Sequence, residues 1–499
     1  MTPKSPTTWR RALAALLAGA LLATTPAGAQ LPTLGDTSDM SSSAERKLGE
    51  RIARELYRDP DYIDDPVLVE YVQAIWQPLL VAARTRGELT TELDERFAWQ
   101  VLLGKDRSVN AFALPGGWLG LHLGLVSVTA TRDELASVLA HELSHVTQRH
   151  ISRMVSQEGK QLPWIIAGML LGALAASKDP HAGSALITGS QALAMQQQLN
   201  FSRDMEREAD RIGFGVLTQA GFEAQGFVTM FEKLQQAARL NDNGAYPYLR
   251  THPMTTERAA EMQSRQPLAT RAPLQPTPEH ALAAARARVI SNPGVDAQRA
   301  MVGEADATGF ASLPRVRQAA VLYSATFAAS RLRDGAALQR LQPRLEAAAA
   351  GNAAGQRIVR LLLAEIALAQ GNTAPALLLA DGVARRPELL LVSQAQVQTG
   401  RAAEAAQRLQ TWVANQPRDA AAWQMLSAAY AADRQPLRAV RAEAEARVAQ
   451  LDYAAALDRL KAAQELGRRS PATDHIEASI IDTRARAVES LLREQALER

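Results

Sequence analysis

Apolar positions recur at helical spacing along most of this chain, and strand-like runs are confined to one short stretch. Leu68, Tyr71, Val72, Ile75, Trp76, Leu79 and Leu80 trace one face of a helix. Asp65-Pro66 in front of them supplies an N-cap acceptor and a proline at the first helical position, where no backbone N–H is needed. A polar, Ser-rich lead-in over 30–43 precedes an earlier helix, with Ser42 and Glu45 spaced as a capping box. Phe97 to Leu103 reads as a strand. Val109 to Ala113 and Trp118 to His122 read as two short strands joined by a turn at Pro115-Gly116-Gly117. A second capping box, Thr131 with Glu134, opens a helix striped by Leu135, Val138, Leu139, Leu143 and Val146. The apolar run Trp164 to Ala176 is too short to span a bilayer. It reads as a buried core helix, or as a lid or membrane-touching segment. Helical pattern returns from Ser184 to Ala220 and on to Leu240. A turn cluster at Asn241-Asp242-Asn243-Gly244 follows, with Thr251-His252-Pro253 just beyond it.

Prolines over 266–280 mark a boundary, after which helix-turn-helix units rich in Ala continue to the end. Trp423, Leu426, Tyr430, Ala439 and Ala446 fall at the offsets of the tetratricopeptide template, whose period is about 34 residues. Ala405, Leu409 and Pro417 fit a preceding unit, and Leu363, Ala367 and Ala376 one before that. The register is uneven: Gly371 and Gly400 are too close for strict repeats, and Asp452-Tyr453 opens a helix early. An irregular Ala-rich bundle is the alternative.

The first 29 residues read differently. Lys4, Arg10 and Arg11 precede an apolar run, Ala12 to Thr24, and Ala27-Gly28-Ala29 has the small-x-small pattern of a signal-peptide cleavage site. Export with cleavage after Ala29 is expected, and the periplasm is the expected compartment. Loss of those three cations takes the formal net charge from +3 to zero, so nucleic acid is not an expected partner. The chain has no cysteine, which excludes disulfides, thiolate nucleophiles and Cys metal ligands.

The chemistry lies in His141-Glu142-Leu143-Ser144-His145. Positions i and i+4 of a helix share a face, so both imidazoles can meet one ion, and zinc accepts such nitrogen ligands. Glu142 sits beside the first ligand and can take a proton from a metal-bound water. A catalytic zinc wants a third protein ligand. His150 lies nine residues from His141, about 180° round a regular helix, and reads as surface or packing. Glu206 is the better choice. It shares a helix face with Asp210, so one carboxylate can bind the metal while the other fixes a ligand histidine. Glu208 is expected to point elsewhere. Taken alone, such an acidic cluster is usually a solvated helix face.

H-E-x-x-H followed by Ser202-Arg203-x-x-Glu206-x-x-Ala209-Asp210 resembles the zinc peptidases that include the CAAX prenyl protease and HtpX. Asn110 to Gly117 also resembles that family's strand and turn before the zinc helix. The resemblance covers residues 42–262. It implies a zincin-like metallopeptidase domain with a small sheet over 30–265; with the proline-marked linker over 266–280 and the repeat pattern read as an all-α tetratricopeptide-type solenoid over 281–499, the expected fold is α+β, mainly α. It implies one Zn2+ per chain on His141, His145 and Glu206, with Glu142 as general base and Asp210 as a second acidic catalytic residue. His252 and Arg258 match a His and an Arg that approach the metal in relatives. His252 has two open roles, stabilising an oxyanion or holding a fourth metal position in a latent enzyme. Arg258 is expected to pair with a site carboxylate or the substrate. Export plus helical repeats is similar to a Gram-negative periplasmic branch of the family. That implies degradation of misassembled outer-membrane proteins, and contact of the repeats with the barrel assembly machinery. The competing readings are a chaperone or adaptor whose zinc site is latent, and a purely structural zinc site.

Overall fold

The computed structural model describes residues 40–158, 203–239, 245–266, 274–469 and 474–496. The first 29 residues, the Trp164–Ala176 run, the 241–244 turn cluster and residues 267–273 of the 266–280 boundary lie outside them.

Helix α1 (Ser42–Arg58) is capped by Ser41, whose hydroxyl accepts from the Ala44 N–H, so the cap stands one residue before the expected Ser42. Glu45 turns away from a capping box to meet Arg149 at 2.9 Å. A two-residue strand β1 (Tyr62–Ile63) follows. Helix α2 (Pro66–Thr85) starts as expected, with the Asp65 carboxylate accepting from the Leu68 N–H at 2.9 Å. Its apolar stripe is buried at Leu68, Val72, Ile75, Trp76, Leu79 and Leu80. Each such side chain contributes about 1.5–3 kcal/mol of burial. The expected strand from Phe97 begins later, because a short helix α3 (Thr91–Arg96) runs into Phe97 and Trp99 turns through a positive φ of 50°. β2 (Gln100–Gly104), β3 (Ala111–Leu114) and β4 (Trp118–His122) complete a four-stranded mixed sheet of order β1-β2-β4-β3. β2 and β4 are parallel, and β3 is antiparallel to β4 with Phe112 opposite Gly120. The β3–β4 turn is made by Gly116 and Gly117 at φ 73° and 85°. Among the described residues β3 ends the sheet, and it lies next to the helix that carries His141 and His145.

After α4 (Leu123–Val128) comes α5 (Arg132–Thr147), capped by the Thr131 hydroxyl. The Glu134 carboxylate reaches back one residue past the cap and accepts from the Ala130 N–H at 2.6 Å. From Asp133 to Thr147 every residue of α5 is buried, so it is a central helix rather than the one-sided surface helix its stripe implies. It is walled by α2, β3, α7 (Arg203–Gln219) and α8 (Gln225–Arg239). Helix α6 (His150–Glu158) leaves α5 through Arg149, which takes a φ of 51°. Gly213 on α7 lets that helix approach closely: a Cβ there would sit 3.1 Å from the Ala140 carbonyl and the His141 nitrogen. α9 (Tyr248–Thr251) and α10 (Thr256–Arg265) close this half.

The remaining chain is helical: α11 (Pro278–Ser291), α12 (Val295–Glu304), α13 (Arg315–Arg331), α14 (Gly335–Ala349), α15 (Ala353–Ala369), α16 (Ala374–Leu377), α17 (Arg386–Gln398), α18 (Ala402–Asn415), α19 (Ala420–Ala432), α20 (Pro436–Ala449), α21 (Tyr453–Arg469) and α22 (His475–Ala496). From α17 onward each helix packs on the next, and Leu426, Tyr430, Ala439 and Ala446 are buried. α11 lies against α4. One continuous hydrophobic core runs from Val67 to Ile366, across the sequence boundary. Ion pairs tie the start of α2 to the later helices. Arg286 meets Asp65 at 2.6 Å and Glu365 at 2.8 Å, and Arg386 meets Asp64 at 2.7 Å and Asp419 at 2.8 Å.

Candidate metal centre

Three segments converge on one point. α5 supplies His141 and His145 from successive turns, the first turn of α7 supplies Glu206, and the residue ending α9 supplies His252. Nε2 of His141 lies 3.0 Å from Nε2 of His145 and 3.3 Å from Nδ1 of His252. Glu206 carboxylate oxygens lie 3.0 Å from His252 Nδ1, 3.4 Å from His145 Nε2 and 3.5 Å from His141 Nε2. All four residues are at least 98% buried, and their donor atoms lie within 4.8 Å of one another. Among the described residues no other group of His and acidic side chains is so arranged. Lone pairs crowded together inside a protein repel unless protons or a cation sit between them, and this set has the composition of a metal site.

The Glu142 carboxylate is wholly buried, with Oε1 3.4 Å from His252 Nε2 and neither oxygen in a well-formed hydrogen bond. Burial raises its pKa, against the pull of His252 and His141. Burial drives His145 well below the usual imidazole value. Burial would raise Glu206 too, but the facing His252, His141 and His145 outweigh it and hold the carboxylate well below its ordinary value.

Asp210 and Arg258 stand behind these donors. The Asp210 carboxylate meets His141 Nδ1 at 2.9 Å, on the ring edge away from the cluster. Arg258 donates to both Asp210 oxygens, at 2.6 and 2.8 Å, and its third nitrogen reaches Glu206 at 2.8 Å. Burial opposes ionisation of Asp210, yet the bonds from Arg258 keep it below the ordinary carboxylate value. Arg258 is placed by α10, whose cap Thr255 accepts from the Arg258 N–H.

The structure therefore gathers His141, Glu142, His145, Glu206, Asp210, His252 and Arg258 at one place. Two neighbours were not expected from the sequence. Tyr248 stacks on His252 with ring centroids 4.5 Å apart, and its i, i+4 spacing from His252 is the signal that was there to find. His150, read from the sequence as surface or packing, packs: it is fully buried against His145, a contact that regular-helix geometry did not foresee, because the left-handed Arg149 breaks the helix and reverses the chain. Its burial lowers its pKa to about 4. Glu208 points away from the donors, as expected, towards His150 and Arg153.

Residues 71–266 match the model of peptidase family M48. Over 435 residues, 86% of each chain, the protein is 32% identical to the beta-barrel assembly-enhancing protease of Escherichia coli. It is 34% identical over 275 residues to a putative beta-barrel assembly-enhancing protease of Vibrio cholerae, spanning 54% of each chain. The mitochondrial metalloendopeptidase OMA1 of Arabidopsis thaliana is 32% identical over 175 residues, 35% of this chain and 33% of that one. A buried His-His-Glu donor set on an H-E-x-x-H helix, inside a matched domain and a likeness that runs far beyond it, makes this chain a metalloendopeptidase of peptidase family M48.

Proposed function

We propose that the protein is a zinc endopeptidase that works in the periplasm on outer-membrane barrel proteins, removing misassembled ones and assisting their assembly. The close approach of donor atoms from His141, His145 and Glu206 beside Glu142 carries the hydrolytic part, since a catalytic zinc takes three protein ligands and keeps its fourth position open. Tetrahedral zinc with ligand bonds of about 2.0–2.1 Å sets its donors about 3.3 Å apart. Among His141, His145 and Glu206 the nitrogens and carboxylate oxygens stand 3.0–3.5 Å apart, and with His252 the four donors lie within 4.8 Å of one another, which supports zinc as the ion, one per chain. When bound, zinc lowers the pKa of a water ligand to about 7 and polarises a carbonyl.

The chain's own groups do the rest. Glu142 takes the proton of the attacking water and returns it to the leaving amine. The Asp210 carboxylate stands 2.9 Å from His141 Nδ1, placed to hold that ring for coordination through Nε2, and its pairing with Arg258 supports this orienting role over proton donation. β3, which ends the sheet beside α5, offers an edge for an extended substrate strand. Backbone pairing of that kind tolerates many sequences, as a quality-control protease needs. The names of the Escherichia coli and Vibrio cholerae relatives support the outer-membrane role. The signal-like first 29 residues and those relatives support the periplasm. The helices after α11, read as degenerate tetratricopeptide units, would dock protein partners such as the barrel assembly machinery. Residues 30–265 and 281–499 would then be the hydrolytic and docking parts, with 266–280 between them.

The test is Glu142→Gln in the full chain. It should retain zinc and lose at least about a hundredfold in cleavage of an unfolded protein substrate. Normal cleavage would refute the mechanism. A latent enzyme is a second reading, favoured by His252 in the donor set and by the complete burial of Glu142. His252→Ala should then raise cleavage. If it binds barrel intermediates without ever cleaving them, a chaperone or adaptor role stands instead.

A further inference from the structure

We propose that His150 is a positioning residue that holds the ring of His145 for metal binding, through a hydrogen-bonded line running His145–His150–Glu208. The proposal rests on the metal-centre reading above.

His145 faces the donor cluster with Nε2, 3.0 Å from His141 Nε2 and 3.4 Å from Glu206. Its other ring nitrogen, Nδ1, lies 2.9 Å from Nδ1 of His150. On the far edge of His150, Nε2 lies 3.0 Å from Glu208 Oε2, and Arg153 holds that same oxygen at 2.9 Å. Proton counting leaves one arrangement. A neutral imidazole has one N–H and one lone pair. If Nε2 of His145 gives its lone pair to a metal, its proton is on Nδ1 and is donated to His150. His150 must accept at Nδ1, so its own proton is on Nε2 and is donated to the Glu208 carboxylate. Every group has a partner of the right kind, and the ionised end is neutralised by Arg153.

The two helix histidines are thus backed in parallel. His141 leans on a carboxylate directly, at Asp210, and His145 leans on one at the remove of a single imidazole. His150 is not itself a ligand, because it meets His145 on the edge opposite Nε2 and lies outside the group of converging donors. The backbone is shaped for this contact. Arg149 takes the left-handed conformation, without the glycine or asparagine that usually occupies it, and its guanidinium is held by Glu45 at 2.9 Å and Ser152 at 3.1 Å. That reversal brings His150 under His145, with both rings fully buried.

The measurement is zinc affinity of the full chain by competition with a chromogenic chelator, alongside thermal unfolding. His150→Leu should weaken zinc binding about 10- to 100-fold, the usual effect of losing a partner behind a metal-ligating histidine. His150→Asn places an amide oxygen where Nδ1 stood and should recover most of that loss. Wild-type affinity in a folded His150→Leu protein would overturn the proposal. A wild-type chain that binds no zinc would instead bring down the metal reading itself. Should His150→Leu not fold, the unaltered protein decides. With only eight histidines in the chain, nitrogen-15 labelling resolves their tautomers by NMR. Zinc-loaded protein should show His150 protonated at Nε2 and His145 at Nδ1. His150 protonated at Nδ1, or on both nitrogens, would overturn the proposal.

Discussion

Arg258 sits between two acids that would otherwise face each other without water. Its three nitrogens reach both oxygens of Asp210 and one of Glu206, and it is 4% exposed. Removing a partner from a buried charge group costs about 3–5 kcal/mol, since the remaining charges lose their compensation. Arg258→Met should therefore lower stability to urea by about that much, and the protein should also release zinc more readily to a chelator. A loss below about 1 kcal/mol, typical of a surface pair, would show the clamp to be dispensable. At this scale the sequence was readable wherever the local helix was regular. His141 and His145, or Glu206 and Asp210, share faces by simple i, i+4 geometry, and the structure joins them. His150 was unreadable for the complementary reason. Its place depends on a φ of 51° at Arg149, a residue type that gives no warning of a left-handed turn.

Helices, more than single side chains, determine where Glu206 stands. α7 reaches α5 across Gly213, whose missing side chain leaves room for the Ala140 carbonyl and the His141 nitrogen. Gly226 plays the same part for α8, where an added Cβ would fall 2.5 Å from the Asp133 carbonyl. Gly213→Leu should push α7 outward, cost about 1–3 kcal/mol by overpacking, and weaken zinc binding without touching any donor. Unchanged affinity in the folded variant would show that the helix spacing is not what sets the centre. Elements with local punctuation were legible: Asp65-Pro66, Thr131 with Glu134, and the Gly116-Gly117 turn all stand where the sequence puts them. α3 was missed because its six residues carry no apolar stripe, and its end at Phe97 displaced the start of β2. The one-sided stripe of α5 misled for another reason. Its polar face is buried as well, by the site it carries.

At the scale of the described molecule, the first half shares one interior with the helices up to Ile366, while the helices beyond have cores of their own. The core from Val67 to Ile366 is contiguous, and His280 on α11 bonds Tyr71 at 2.6 Å and the Thr129 carbonyl at 2.8 Å. A chain ended at residue 265 would expose α4 and the start of α2. It should bind a hydrophobic dye and lose cooperative unfolding, whereas a native-like melt would show the first part to be self-sufficient. The same seam makes an acid-sensitive contribution. Burial opposes ionisation of Asp419, but Arg386 outweighs it and holds the carboxylate below its ordinary value. A depressed folded pKa means stability that is full above the unfolded value, near pH 4, and is lost as pH falls through the folded one. Asp419→Asn keeps a capping side chain on α19, so it should cost about 1.5–3 kcal/mol at pH 7 and show a shallower loss between pH 5 and 3. Equal acid slopes would place the sensitivity elsewhere. The sequence marked the 266–280 boundary by its prolines, but composition carries no record of which faces are covered across it. The fixed attachment of the outer helices has a mechanical consequence. A tethered module searches a volume for its cargo, and its effective concentration follows linker length. Here ion pairs such as Arg386–Asp64 and Arg58–Asp452 fasten the outer helices to the first half of the chain. On the docking role proposed above, cargo gripped there would be held at a set distance and angle from β3, and reach, more than sequence, would select the bond that is cut.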